Sequence, residues 1–424
     1  MHRSSFVACP LLALGVMAPA VESADWPQFR GPGGQGHSPA ETLPLEWDRE
    51  KNVDWRIEVP GKGWSSPVVG GDRVYLTTAV AVGRNPRAND APQSLRVVCL
   101  DATTGKTLWN VEVFRQGKTR IHKKNSHASP TPVVDGGHVF VHFGANGTAC
   151  LTTEGEIVWR NSSIDYPPVH GTGASPVLVG RSLIFSCDGA SDPFVIALDR
   201  ETGEPIWRTP RPRASGNRFA FSTPLPIEFD GRRQVVVPGA QHVCSYDPDT
   251  GREIWRVHYP GGFSVVPRPV FAQGLVFASS GFMNPVLYAI RPNGRGDVTD
   301  THVAWTEDKG IARNASFLVV GDEIYVVSDN GIASCFDAET GRRHWRKRLG
   351  GAFSSSPLHA AGRIHFLNED GETIVVEPGT TYRELARNPL DEQTLASAAV
   401  AGDALFLRTL EHLYRIREGA RGSD

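Results

Sequence analysis

Apolar and polar residues alternate along most of the chain in short runs that break at glycine, and the runs recur in a fixed order. The clearest unit is CLDATTGKTLW at 99–109: an apolar strand end, an acidic residue, a turn closed by Gly, then a strand carrying Trp. It returns as CLTTEGEIVW at 150–159, ALDRETGEPIW at 197–207, SYDPDTGREIW at 245–255 and CFDAETGRRHW at 335–345. Weaker copies run from Ala289 to Trp305, with an insertion, and over VVEPGTTYREL at 375–385, with Leu in place of Trp. Trp55, in NVDWRIEV, ends a copy whose beginning is missing. The turn Gly suits a positive φ, where a side chain would clash.

A second signature, a Ser/Thr-Pro step followed by an apolar residue, marks the first strand of each unit. It stands at Ser66-Pro67-Val68, Thr131-Pro132-Val133, Ser175-Pro176-Val177, Thr223-Pro224-Leu225 and Ser356-Pro357-Leu358. Arg268-Pro269-Val270, Ser316-Phe317-Leu318 and Ala398-Ala399-Val400 are looser forms. First strands and Trp-type fourth strands both number eight when Trp55, Trp109, Trp159, Trp207, Trp255, Trp305, Trp345 and Leu385 are taken as the latter. The register is offset: Trp55 precedes every first strand, and the last first strand lacks its own fourth. The pattern therefore predicts an all-β fold, an eight-bladed β-propeller of four-stranded antiparallel blades. The N-terminal strand pairs with the C-terminal blade and removes the edges an open array would leave.

The expected organisation is a signal peptide over 1–24, a Gly- and Pro-rich lead segment over 25–52, the propeller over 53–417 and a tail over 418–424. Within 1–24, His2 and Arg3 precede an apolar run, and Ala18-Pro19-Ala20 offers small residues for cleavage. The apolar run is short for a membrane span, and Cys9 lies too early in it to suit a lipid anchor. Export to the periplasm or cell envelope follows. In the lead segment, Trp26, Phe29 and Trp47 are expected to pin the chain to the surface.

A formal net charge of −2, with no polybasic run, argues against nucleic acid as a partner and adds no membrane signal. Cys99, Cys150 and Cys335 share one repeat slot with Ala197 and Ser245, so that slot is a small packing position and no catalytic cysteine is expected. Asp297 and Asp300 fall in an insertion whose spacing does not match a calcium loop.

In a propeller the residues just before the innermost strands rim one mouth of the channel. Those positions give Lys62, Trp64, Asn125, His127, His170, Arg218, Phe219, Phe263, Arg268, Arg313, Asn314 and Phe353. The ligand-binding candidates among them are Trp64, Asn125, His127, His170, Arg218, Arg268, Arg313 and Asn314, a basic and aromatic set on a near-neutral chain. Such a mouth would hold a flat anionic ligand through Arg forks and a stacking Trp. His122, His127 and His170 do not by themselves define a metal site. Asp188 and Asp192 read as loop-capping residues.

The ALDRETGEPIW frame resembles the tryptophan-docking motif of the pyrroloquinoline quinone propeller superfamily, over nearly all of residues 53–417. The resemblance implies structural docking roles for Trp55, Trp109, Trp159, Trp207, Trp255, Trp305 and Trp345. It also brings alternatives for function. One is a pyrroloquinoline quinone-dependent dehydrogenase of alcohols or sugars, with calcium held by acidic and amide side chains and an Asp taking the alcohol proton. Another is a non-enzymatic relative of the outer-membrane assembly-factor lipoprotein. The mouth candidates include Asn125 and Asn314 but no carboxylate, and the adjacent-cysteine pair of some enzyme members is absent. The expectation is thus a binding or scaffold module with a protein or an anionic small molecule as partner. No catalytic or metal residue is singled out, and pyrroloquinoline quinone with calcium belongs to the rival reading.

Overall fold

The structure, a computed structural model, describes residues 25–83 and 91–421. The expected leader at 1–24 lies outside the described residues, as does the middle of the polar loop after the second strand of the first blade. The repeats form eight antiparallel sheets arranged as a propeller. Blade 1 consists of Val68–Gly70, Arg73–Ala81, Gln93–Asp101 and Thr107–Gln116, taken from the channel outward. Blades 2 to 7 repeat this order. In each blade the middle strands are almost wholly buried while the outer strand is largely exposed or half-buried, as in Arg343–Arg348 of blade 6. That contrast is why the second and third strands read as apolar runs and the Trp strand does not.

Blade 8 takes Ala399–Ala401, Ala404–Arg408 and His412–Arg421 from one end of the chain and Lys51–Glu58 from the other. Trp55 lies opposite Arg415 and Ile57 opposite Leu413. The Asp54 carboxylate pairs with Arg415 and stands 3.5 Å from Arg417, so an ion-pair cluster joins the two ends.

The Trp side chains bind neighbouring blades. The indole N–H of Trp109 donates to Thr153 O at 2.9 Å, that of Trp159 to Arg200 O at 2.9 Å and that of Trp207 to Pro248 O at 3.0 Å. Trp55, Trp305 and Trp345 donate in the same way to Ala102, Ala338 and Gly379. Each acceptor lies in the outer turn of the next blade, and the rings of Trp55, Trp109, Trp159, Trp207 and Trp305 pack on the glycine of that turn. At Gly203 φ is +75°, and a Cβ would stand 2.5 Å from Trp159 Cε3. The turn therefore needs glycine for both its backbone and its neighbour.

Trp255 departs from the rule. Its N–H donates to Gln234 Oε1 of its own blade at 2.7 Å. The turn it would reach is opened by the insertion after Ile290, which adds Gly296–Asp297 as a parallel strand beside Glu253–His258 and a short helix, Thr299–His302. Leu385 also has a physical explanation. The third and fourth strands of blade 8 come from opposite chain ends, so no turn exists for a Trp at 385 to dock on. Trp47 of the lead segment packs there instead, 2% exposed, its backbone N–H on Asn388 Oδ1 at 3.0 Å and its ring stacked on His365.

The rest of the lead segment crosses the far end of the channel. Trp26 exchanges two 2.9 Å backbone bonds with Val69 of blade 1, and Pro27 O accepts from Val134 N of blade 2. Gln35 Oε1 accepts from Phe271 N of blade 5. Gly36 and Ser38 pair with His359 of blade 7. The Arg30 guanidinium donates to Phe317 O of blade 6 at 2.6 Å, and that of Arg268 donates to Phe29 O at 2.6 Å. A Cβ on Gly34 would stand 2.0 Å from Arg268 Nη1, so the glycine-rich sequence lets the backbone lie directly on a guanidinium.

Candidate functional site

Each innermost strand runs away from one mouth, and the second strand returns to it. The residues before the first strand and the hairpin after the second therefore share a rim. Below the rim, the Ser/Thr-Pro positions of successive blades are joined by hydrogen bonds. Ser66 N donates to Thr131 Oγ1 at 3.0 Å, Thr131 N to Ser175 Oγ at 2.9 Å and Ser175 N to Thr223 Oγ1 at 3.0 Å. The chain of bonds resumes from Arg268 N to Ser316 Oγ, Ser316 N to Ser356 Oγ and Ser356 N to Ser397 Oγ. The blade 8 equivalent is thus Ser397-Ala398-Ala399, one residue earlier than the sequence register assigned. This girdle explains why hydroxyls recur at the step: each satisfies a buried backbone N–H across a blade boundary.

Above the girdle lies a funnel of about 540 Å³ with Phe29 of the lead segment among its lining residues. Rings follow one another along half the rim. His122 and His170 have centroids 5.2 Å apart, His170 and Phe219 5.2 Å, Phe219 and Phe263 5.4 Å, and Phe263 and Phe282 5.6 Å. The Arg313 guanidinium lies over Phe282, 5.2 Å from its centroid. Phe282 and its neighbour Met283 are 40% and 59% exposed.

The opposite side is polar. Lys124 of the loop before blade 2 pairs with Glu369 of the blade 7 hairpin at 2.7 Å, and Ser354 also donates to Glu369. This contact bridges the rim past blades 8 and 1. Asp329, in the blade 6 hairpin, accepts from Arg313 N at 2.9 Å, Asn314 N at 3.3 Å and Asn314 Nδ2 at 2.9 Å. Burial raises the Asp329 carboxyl above its usual range against the pull of these donors and of Lys124. His122 is held below its ordinary value, first by burial and then by the facing His170.

Among the sequence-derived candidates, Trp64, Asn125, His170, Arg313 and Asn314 line the funnel. Asn125 spends its polar atoms on loops, donating to His170 O and Thr172 O and accepting from Ser126 N and Ser129 Oγ. His127, Arg218 and Arg268 are not among the lining residues. His127 is half-buried, with Nδ1 unpartnered. Arg218 stands 3.7 Å from Asp192, which also pairs with Arg213. Arg268 is 0% exposed beneath the girdle, where its Nε donates to Pro224 O at 3.0 Å. Asp188, read as a loop cap, forms a fully buried pair with Arg211.

Asp329, Glu369 and Phe282 were missed because the rim was read only from residues before the first strands. Their signal is the hairpin after the second strand, SDNG at 328–331 and NEDG at 368–371. Asp329 is the one carboxylate among the described lining residues. Both its oxygens are already engaged, so the donor set falls short of a calcium held by several acidic and amide groups beside a separate proton-accepting Asp. The five described cysteines are buried and unpaired, and burial pushes Cys99, Cys150 and Cys335 up to about 12.

A family profile described as outer membrane protein assembly factor BamB matches residues 55–218, 191–316 and 294–412. A curated protein of that name from Burkholderia pseudomallei (strain K96243) is 26% identical over 365 residues, 82% of this chain and 84% of the relative. Among solved structures, BamB from Moraxella catarrhalis aligns with a TM-score of 0.59 at 15% identity, over 87% of this chain and 98% of that one. The quinohemoprotein alcohol dehydrogenase of Comamonas testosteroni aligns at 0.66 and 12% identity, over 95% and 82%. At such identities the solved structures speak for the fold alone, while the profile spans nearly all of the propeller. The chain is a member of the BamB-like family of pyrroloquinoline quinone-type repeat propellers.

Proposed function

We propose that this protein is an exported binding and scaffold propeller of the cell envelope, recognising a partner at its channel mouth. The observation that carries this reading is the aromatic arc from His122 to Phe282, ending in exposed Phe282 and Met283. Exposed apolar groups clustered around a concavity are what a recognition surface uses, since rings contribute large contact area at low entropic cost. The match to an assembly-factor family favours a protein segment as the partner. The leader expected at 1–24 supports delivery to the envelope. A photo-cross-linking residue in place of Phe282 is expected to give a discrete adduct in envelope extracts, and one in place of Leu108, exposed on blade 1, none. Equal labelling from both positions would refute recognition at the mouth.

A quinone-dependent dehydrogenase would need a metal and base set that one engaged Asp329 does not supply. Protein incubated with pyrroloquinoline quinone and calcium is expected to show no dye-linked turnover of alcohols or sugars. Turnover lost in Asp329→Asn would reverse that reading.

A further inference from the structure

We propose that the deep end of the channel is a site for a compact oxyanion, a carboxylate being the simplest, held on the axis by the girdle hydroxyls. The inference rests on the reading of the channel mouth as a recognition site and names the chemical group its floor accepts.

The first observation is a set of hydrogen-bond donors without acceptors. Thr131, Ser175, Thr223, Ser316, Ser356 and Ser397 each accept a backbone N–H from the preceding blade. A hydroxyl oxygen that already holds an N–H is polarised toward donating its own proton. None of these hydroxyls donates to a protein acceptor among the described residues, and all of them line the cavity together with Ser66. They form a ring of O–H groups around a common axis. A cation there would meet oxygens already engaged by N–H groups and no carboxylate.

The second observation is charge. Blade 5 puts Arg268 where the other blades have a hydroxyl or serine, and its guanidinium is 0% exposed. Among the described residues it bonds only to the carbonyls of Pro224 and Phe29, leaving Nη2 without a partner. Arg30 is 2% exposed and bonds to the carbonyls of Gln35 and Phe317, leaving Nε and Nη1 without partners. Arg408, also 2% exposed, bonds to Ser65 and Thr77 beside the girdle. Among the described residues, every hydrogen bond of these guanidinium groups goes to an uncharged oxygen. A buried charge without a counter-charge is unfavourable, and a nearby anion relieves that penalty. The field of these cations reaches the channel through buried protein, where screening is weaker than in water. Burial accordingly holds all of these guanidinium groups down to about 9, and Arg268 adds to the effect at Arg30. Asp329 does not offset this charge at the floor, because it sits at the rim with its oxygens engaged.

Crystals soaked in sodium bromide test the site by anomalous diffraction. A peak is expected on the channel axis within hydrogen-bond reach of the girdle hydroxyls, displaced by sodium acetate at equal ionic strength. Parallel soaks in sulfate and phosphate tell a carboxylate end from a tetrahedral oxyanion by which displaces bromide best. Arg268→Gln is expected to lower the axial occupancy several-fold. If that variant does not fold, Thr131→Val, which keeps the shape but removes one O–H and with it the acceptor of Ser66 N, must lower it as well. Bromide at surface sites with none on the axis, or an axial peak indifferent to acetate and to these substitutions, overturns the proposal. Failure here leaves the Phe282 cross-link untouched, so the anion site and mouth recognition are judged separately.

Discussion

The turn glycines show how one residue meets two demands. Gly203 has φ +75° and carries the Trp159 ring, whereas Gly216 has φ +79° with no atom within 4 Å of its would-be Cβ. Gly203→Ala should cost roughly 2–4 kcal/mol in urea unfolding, and Gly216→Ala about 1 kcal/mol, since only the first adds overpacking to backbone strain. Buried histidines set the acid response. Burial lowers His142 to about 3 and His365 to about 3, while an unfolded histidine titrates near 6.5. The unfolded chain therefore binds more protons below pH 6.5, so their stabilisation is complete above that pH and declines as pH falls toward 3. At pH 5 each histidine should have forfeited about 2 kcal/mol. His365→Phe, which keeps an aromatic ring against Trp47, should shrink the difference between the urea midpoints at pH 7 and pH 5. An unchanged difference would refute the assignment.

At the scale of the element, the repeat was legible because its chemistry is local and periodic: a turn glycine, a Trp, and a Ser/Thr-Pro step recur at fixed offsets. What escaped notice depends on partners distant in sequence. Leu385 looked like a defect, yet the blade it faces has no outer turn, and Trp47 packs at that seam from more than three hundred residues away. Trp47→Ala should cost about 3–5 kcal/mol and open the seam between blades 7 and 8 to protease, read by limited proteolysis. Arg268 looked like a rim residue because it precedes a first strand. Its burial under the lead segment follows from glycines that admit its guanidinium, a contact no single repeat contains. Asp329 and Glu369 were hidden by a choice of positions, since hairpins after the second strand return to the same mouth. The architecture was therefore readable from the pattern, whereas the site required knowing which turns meet.

For the whole molecule, closure joins chain ends that have no contact in sequence. Lys51–Glu58 supplies the outer edge of blade 8, with Asp54 paired to Arg415. Deleting the chain through Glu58 would leave His412–Arg421 as an unpaired edge and remove the segment that crosses the far end of the channel. Such an edge templates pairing with other chains, so the truncated protein should self-associate, read by light scattering after gel filtration. A truncated chain that stays monomeric and as stable as the parent would refute the role assigned to closure.

The lead segment across the far end turns a tube into a cup. Whatever enters must leave by the aperture it came through, and water driven from the base has to escape past the incoming solute. A polypeptide could insert its tip but could never be threaded from one face to the other, so the chemistry of that tip, rather than the sequence along a passing strand, is what the base of the cup can sense.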